Sequence, residues 1–311
     1  MQSSTELPHE PQTGWTLDTA LTLGRVSNLP TVWTNALAGI ILAGGGIFGT
    51  QSAALLFAMS LAYIGGMFLN DAFDHEIDSI QRPERPIPAG LVSARDVYIA
   101  GFAMLFLSVA LIHLASPGNP AATVSALALV SLIILYNCWH KENPISPLLM
   151  GLCRMMVYIC CGLVVSNEIS MLLAIGSLIT LSYLIGLTYT AKQEHFGRIS
   201  KLWPLAFLSA PILMGIYVAT DYPSILFVVA ILAVWIAHCL SRILRRQAGD
   251  IPVAVVRLIA GISIIDTLLM LSAMSLLNSS TSIEFYNYLL AAIGFTAFAC
   301  TLFLQRYIAG T

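Results

Sequence analysis

The sequence predicts an all-α fold, a polytopic transmembrane helical bundle of about nine to ten spans. Three observations carry that expectation. Hydrophobic residues make up 58% of the 311 positions and the mean hydropathy is +0.83, well above a soluble globular domain. Apolar runs recur from about residue 28 to the C-terminus, each near the roughly 20 residues that a helix needs to cross a bilayer. The short alternating segments of a membrane β-barrel do not occur.

In order along the chain, the expected spans fall at roughly 30–50, 52–70, 96–115, 120–138, 147–166, 169–190, 203–220, 223–242, 253–277 and 286–305. Ser116-Pro117-Gly118-Asn119-Pro120, Ser166-Asn167-Glu168 and Asp221-Tyr222-Pro223 read as tight polar turns between them. Gly44-Gly45-Gly46 and Gly49 blur the turn after the first. Residues 1–27 form a polar N-terminal tail without the apolar stretch of a secretory signal, leading into an interfacial segment. Residues 28–311 form a single membrane-embedded domain.

Basic residues set the expected orientation. Arg25, Arg82, Arg85, Arg95, Lys141, Lys192, Arg198, Lys201, Arg242, Arg245, Arg246 and Arg306 all fall at one end of this arrangement. The positive-inside rule makes that end cytoplasmic, and both termini with it. The net charge of −2 gives no reason to expect nucleic acid as a partner. The six cysteines lack zinc-ligand and redox spacings and read as buried free thiols.

Charged residues are only 10% of the chain, yet Asp71, Asp74, Glu76, Asp78, Arg82, Glu84 and Arg85 crowd into Asn70–Gly90. Asp71, Asp74 and Asp78 are spaced to share one face of a helix, and Asn70 adds an amide oxygen to it. Such oxygen donors suit a hard cation, Mg²⁺ above all, which readily bridges to substrate phosphates. Arg82 and Arg85 offer the forked donors that grip phosphate oxygens, in a loop stiffened by Pro83, Pro86 and Pro88. The bland alternative is a solvated acidic helix end followed by a basic loop.

Asn70-Asp71-x-x-Asp74-x-x-x-Asp78 with Arg82-Pro83-x-Arg85-Pro86-Ile87-Pro88-x-Gly90 resembles the first aspartate-rich motif of the UbiA-type intramembrane prenyltransferases. Arg25, Asn28 and Pro30 resemble the start of that family's first helix, and Tyr136 with Lys141 its Tyr-plus-basic pattern after the fourth. The resemblance implies a UbiA-like bundle and Mg²⁺-dependent transfer of a prenyl group from an isoprenyl diphosphate to a small aromatic or lipidic acceptor in the bilayer. It implies metal binding by Asp71, Asp74 and Asp78, and diphosphate binding by Asn70, Arg82, Arg85, Lys141, Arg154 and Arg198. Asp71, Asp74, Lys192 and Glu194 are the expected catalytic residues. The family's second aspartate-rich motif is depleted: Glu194 is the lone carboxylate of Thr188–Arg198, where Lys192 and Arg198 offer charge compensation. His195 reads either as a proton acceptor or, more often for a lone interfacial His, as a polar surface residue. The family's usual nine spans are one fewer than the count above.

An allylic cation needs a dry cavity and is stabilised by aromatic faces; Phe68, Phe73, Tyr136, Trp139, Tyr183 and Tyr189 are the candidates, each equally readable as a packing residue. Arg154 and Asp266 fall inside helices, where an ionisable group is costly and faces a cavity or a partner. For Arg154 diphosphate binding and structural pairing both stand; for Asp266 pairing is favoured. Arg257, near a helix end, reads as snorkelling. Two alternatives to an enzyme follow: a non-catalytic relative that binds or moves an isoprenoid or aromatic metabolite, and an ion-coupled transporter.

Overall fold

The computed structural model describes residues 14–141, 143–192, 202–245, 247, 249–277, 283–308 and 310. Among them it is helical throughout, with no strand. Within the expected tail, α1 (Leu17–Leu23) is capped by Thr16, whose hydroxyl accepts from the Thr19 amide at 3.1 Å, and a 3-10 turn at Val26–Asn28 leads into α2 (Leu29–Leu42).

Each of the ten expected spans has a helical counterpart. They are α2, α3 (Thr50–Gln81), α4 (Ala94–Ala115), α5 (Pro120–Trp139), α6 (Ser146–Val165), α7 (Met171–Lys192), Trp203–Ala219, α9 (Leu226–Arg245), α10 (Asp250–Leu277) and α11 (Ile283–Leu304). Eight helices among the described residues are long and apolar enough to cross a membrane. The two shorter segments are α2, of 14 residues, and Trp203–Ala219. The latter winds as a 3-10 helix through Ser209 before α8 (Ala210–Ala219), because Pro204 and Pro211 cannot donate to an α-helical ladder.

The largest departure from expectation is at α2 and α3. Gly44 takes φ +83°, and the Gly44 and Gly45 amides close onto Ile41 and Ile40 carbonyls at 2.9 Å each, so α2 stops well before residue 50. α3 then runs 32 residues without a break, about 48 Å. It does not surface at residue 70 but carries Asn70, Asp71, Asp74 and Asp78 in helical register to its C-terminal end.

One hydrophobic core draws buried residues from α2 through α11. α10 sits at its centre, with 78% of its apolar window buried against 17% for the peripheral α11. Outside it, Phe106, Leu114, Phe227 and Val234 are exposed, as expected for an apolar surface facing lipid. All six cysteines are free, but only Cys160, Cys161 and Cys239 are fully buried. Cys138 and Cys300 are exposed, a correction to the expected burial that follows from their outward faces on α5 and α11.

Small residues set the closest approaches. Gly65 of α3 and Gly101 of α4 face one another, and Gly39 lets α2 lie against the α6 backbone at Tyr158. A Cβ at position 39 falls 2.6 Å from the Tyr158 carbonyl oxygen, so main chain rather than a flexible side chain must yield. Gly39→Ala is therefore expected to cost about 1–3 kcal/mol, read as a lower Tm of the purified protein in detergent. Gly46→Ala, where an added Cβ meets nothing within 4 Å, serves as the unaffected control.

Candidate active site

One face of α3 builds the site. Residues Met59, Tyr63, Met67, Asn70, Asp74 and Asp78 recur at helical spacing and line a cavity of about 350 Å³. At the C-terminal end of α3 the lining is polar: Asn70, Asp74, Asp78, Arg82, Arg85, His140, Lys141 and Arg25. Deeper in the bundle it turns apolar, with Val32, Leu129, Ile133, Val157, Leu184 and Ile262. Such a vessel fits a ligand with a charged head and an apolar body.

The polar end is a lattice of ion pairs contributed by three parts of the chain. Arg25 donates to Asp71 Oδ1 at 2.9 Å and to Asn70 Oδ1 at 3.0 Å. Arg85 donates to Asp78 Oδ2 at 2.6 Å and more weakly to Asp71 Oδ1 at 3.3 Å. Asp74 is met by Lys141 Nζ at 3.2 Å and His140 Nε2 at 3.4 Å. The His140 ring stacks on Tyr136 with centroids 5.0 Å apart. Asn137 aligns Asn70, accepting from its amide at 3.2 Å while donating to the Gly66 carbonyl at 3.0 Å.

Arg25 reaches its partners from a left-handed backbone, φ +43°, a conformation costly for a side-chain-bearing residue. Its surroundings over-determine it: the Tyr63 hydroxyl donates to its carbonyl at 3.2 Å and its amide donates to Thr22 O at 3.1 Å. Burial works against the guanidinium charge, yet Asp71, with a smaller contribution from Tyr63, holds its pKa above the ordinary value.

A second polar layer lies deeper. Arg154 of α6 donates to Asn35 Oδ1 at 2.6 Å and Thr31 Oγ1 at 3.1 Å, and its guanidinium lies 5.7 Å from the Tyr63 ring centroid. The Asn35 amide in turn donates to both oxygens of Asp266, at 2.9 and 2.8 Å. Thr34 and Tyr158 hydroxyls also donate to that carboxylate. Arg154 and Asp266, both singled out in the sequence, are thus joined through Asn35 rather than in direct contact.

Of the expected site residues, Asn70, Asp74, Asp78, Arg82, Arg85, Lys141 and Arg154 line the one cavity. Asp71 lies beside them, its carboxylate engaged by Arg25 and Arg85. Lys192 is not part of the lining; its ammonium donates to the Asn143 carbonyl. Glu194, His195 and Arg198 lie outside the described residues. Of the six candidate aromatics only Tyr136 lines the cavity. Phe68 stacks on Trp15, Phe73 packs edge-on to Tyr98, Trp139 is exposed, Tyr183 donates to Leu258 O, and Tyr189 belongs to a side cluster. Arg257 reaches His238 across to α9.

Sequence reasoning did not assign Arg25, Asn137, His140 or Tyr63 to the site. Arg25 reads from the sequence as part of a helix start and as one of the orienting basic residues, 46 residues from Asp71. The other three carry no local motif.

The donors fit a divalent ion of one kind. Among the described residues no three His, Cys, Asp or Glu side chains converge to enclose a metal. The cavity is nevertheless lined by Asn70, Asp74 and Asp78 along one helix face. Mg²⁺ is ordinarily held by one or two carboxylates together with substrate phosphates, and that is the coordination this set can supply.

Arg25→Ala leaves the buried Asp71 with only its longer contact to Arg85. A loss of roughly 3 kcal/mol in stability is expected, and the Arg25→Ala/Asp71→Asn double variant should recover much of it in a thermal-unfolding cycle. Strict additivity of the two changes would show that the pair is not coupled.

The family profile described as UbiA prenyltransferase family matches residues 32–193. Among curated relatives, a digeranylgeranylglyceryl phosphate synthase of Methanothrix thermoacetophila is 33% identical over 129 residues, covering 41% of this chain and 47% of the relative. The synthase of the same description from Thermococcus kodakarensis is 45% identical over 74 residues, 24% of each chain. The chain thus spans under half the length of these relatives. Among solved structures, a chain from work on digeranylgeranylglyceryl phosphate synthase in membranes aligns with a TM-score of 0.60 at 22% identity, covering 83% of this chain and 99% of that one. A UbiA homologue from Aeropyrum pernix aligns with a TM-score of 0.61 at 15% identity, covering 79% and 96%. At those identities the two structures establish the fold, and the sequence match over residues 32–193 establishes the lineage: this chain belongs to the UbiA prenyltransferase family.

Proposed function

We propose that residues 28–311 act as one membrane unit that transfers a prenyl group, with Mg²⁺, from an isoprenyl diphosphate to a glycerol-phosphate-type lipid acceptor. The observation that carries this reading is the single cavity that joins a polar mouth of carboxylates and cations to an apolar interior. The acceptor class rests on the relatives, which are described as digeranylgeranylglyceryl phosphate synthases; of the aromatic and lipidic acceptors expected from the sequence, they favour the lipidic one. The basic end of the bundle is taken as cytoplasmic from its arginines and lysines.

In this reading Arg82, Arg85 and Lys141 bind the diphosphate, and Asn70, Asp74 and Asp78 hold the metal against it. Bound Mg²⁺ supplies Lewis-acid neutralisation of the leaving group. Arg25 and Asn137 keep Asn70 and Asp71 in register on α3. The allylic C–O bond breaks with its electron pair leaving on the diphosphate, and the acceptor hydroxyl oxygen bonds to the allylic carbon while its proton passes to the released diphosphate. The apolar walls, Leu129, Ile133 and Val157 among them, hold the isoprenoid and exclude water from the cation.

The test is product formation by purified protein given Mg²⁺, radiolabelled geranylgeranyl diphosphate and a panel of glycerol-phosphate and aromatic acceptors. Asp74→Asn is expected to lower turnover by about 100-fold or more, the scale of several kcal/mol of lost charge stabilisation. Binding of the diphosphate without its release, across the whole panel, overturns the enzyme reading and leaves a carrier.

A further inference from the structure

The cavity holds two cationic regions of different character. At the mouth, Arg25, Arg85 and Lys141 each contact a carboxylate. Arg82, which makes no described carboxylate contact, sits at the end of α3, where its amide caps the helix on Asp78 O. Arg154 lies deep, and the partners described for it are neutral oxygens. The nearest acid in its network, Asp266, is one amide away and already accepts from Asn35, Thr34 and Tyr158.

A guanidinium has five N–H donors, and two bonds to neutral oxygens leave donors over for the cavity that Arg154 lines. Its orientation is locked. Because the Asn35 amide nitrogen serves Asp266, the Asn35 oxygen must face Arg154. The Tyr63 ring covers one side. A cation held this firmly, at a depth where charge is expensive, serves a cavity or a ligand.

Depth separates it from the mouth. Arg154 contacts the ring of Tyr63, and the 11 residues of α3 from Tyr63 to Asp74 span about 16 Å of helix, longer than a diphosphate group. An acceptor bound between them would occupy that length. Its anion takes a charge-assisted hydrogen bond of roughly 2.8 Å from Arg154. Its nucleophile comes within roughly 3–3.5 Å of the allylic carbon, and its own skeleton fills the remainder.

We infer that Arg154, held by Asn35 and Thr31, is a second anion site of this cavity, which binds the phosphate of the acceptor rather than the diphosphate of the donor. The inference deepens the proposed prenyl transfer and rests on it for the order of substrates along the cavity.

The experiment compares geranylgeranylglyceryl phosphate with its dephosphorylated alcohol as acceptors, at saturating geranylgeranyl diphosphate and Mg²⁺. Arg154→Gln is expected to reduce the kcat/KM preference for the phosphorylated acceptor by about tenfold or more, the scale of one charge-assisted hydrogen bond. The donor KM should stay within about threefold, and Arg154→Lys should restore part of the preference. An unchanged preference in Arg154→Gln, or a loss that appears in the donor KM instead, overturns the assignment. If Arg154→Gln does not fold, Thr31→Val, which removes one support and keeps the charge, must still lower the preference by a smaller factor; no change overturns the assignment. If the wild-type protein turns over neither acceptor, the glycerol-phosphate acceptor reading fails by itself. Equilibrium binding of the same two lipids then decides: selectivity for the phosphate that Arg154→Gln abolishes supports the site, and equal binding of both lipids overturns it.

Discussion

A charge enclosed by an apolar bundle must be met by an opposite charge or by enough donors, and the polar architecture of this protein follows from that constraint. α3 carries Asp71, Asp74 and Asp78 on turns that are buried against other helices. Arg25 from the turn before α2, Arg85 from the loop after α3, and His140 with Lys141 at the end of α5 converge to satisfy them. The same contacts fix where three separate stretches of chain meet, so the ion pairs act as registration marks for one end of the bundle. Backbone strain at Arg25 is the local cost of that registration.

The deeper layer obeys the same rule with a different composition. Asp266 from α10 collects donors from α2 and α6, and Thr180 of α7 donates to the Tyr158 hydroxyl at 3.0 Å behind it. Four helices are thereby pinned around one carboxylate in a region where packing of apolar side chains is nearly indifferent to rotation. Gly39 makes the arrangement possible by letting α2 and α6 approach closely enough for Asn35 and Arg154 to meet. Above it the mouth is built of exchangeable ion pairs; below, both oxygens of Asp266 are engaged and the walls are apolar.

Much of this was legible in the sequence because the governing signals are local. Apolar run length located the ten expected helical segments, and spacing put Asp71, Asp74 and Asp78 on one helix face with Asn70. Of these, Asn70, Asp74 and Asp78 line the cavity and Asp71 lies beside it. The Arg-Pro loop lay next to that face in the chain. What was not legible depends on contacts between distant segments. Nothing near Arg25 announces that its side chain crosses to α3, and nothing in Asn137 or Tyr63 marks them as site residues, since each is an ordinary helical residue until its neighbour is known. The aromatic candidates show the converse: proximity in sequence to the acidic motif says little about facing, and Phe68 and Phe73 point elsewhere. The end of α2 was obscured because a glycine-rich turn and an apolar helix have similar hydropathy.

The pairing of Arg85 with Asp78 and Asp71 has a kinetic side. An anionic ligand that draws on Arg85 must compete with two carboxylates of the protein itself, so entry is a partner exchange rather than the insertion of charge into an unprepared low-dielectric site. The exchange runs in both directions. When such a ligand departs, the displaced carboxylates recapture the guanidinium, which shortens the ligand's residence and weakens its equilibrium hold. A mouth built this way gives up affinity for its anion in return for turnover, because the groups that receive the charge are never left without a partner once it has gone.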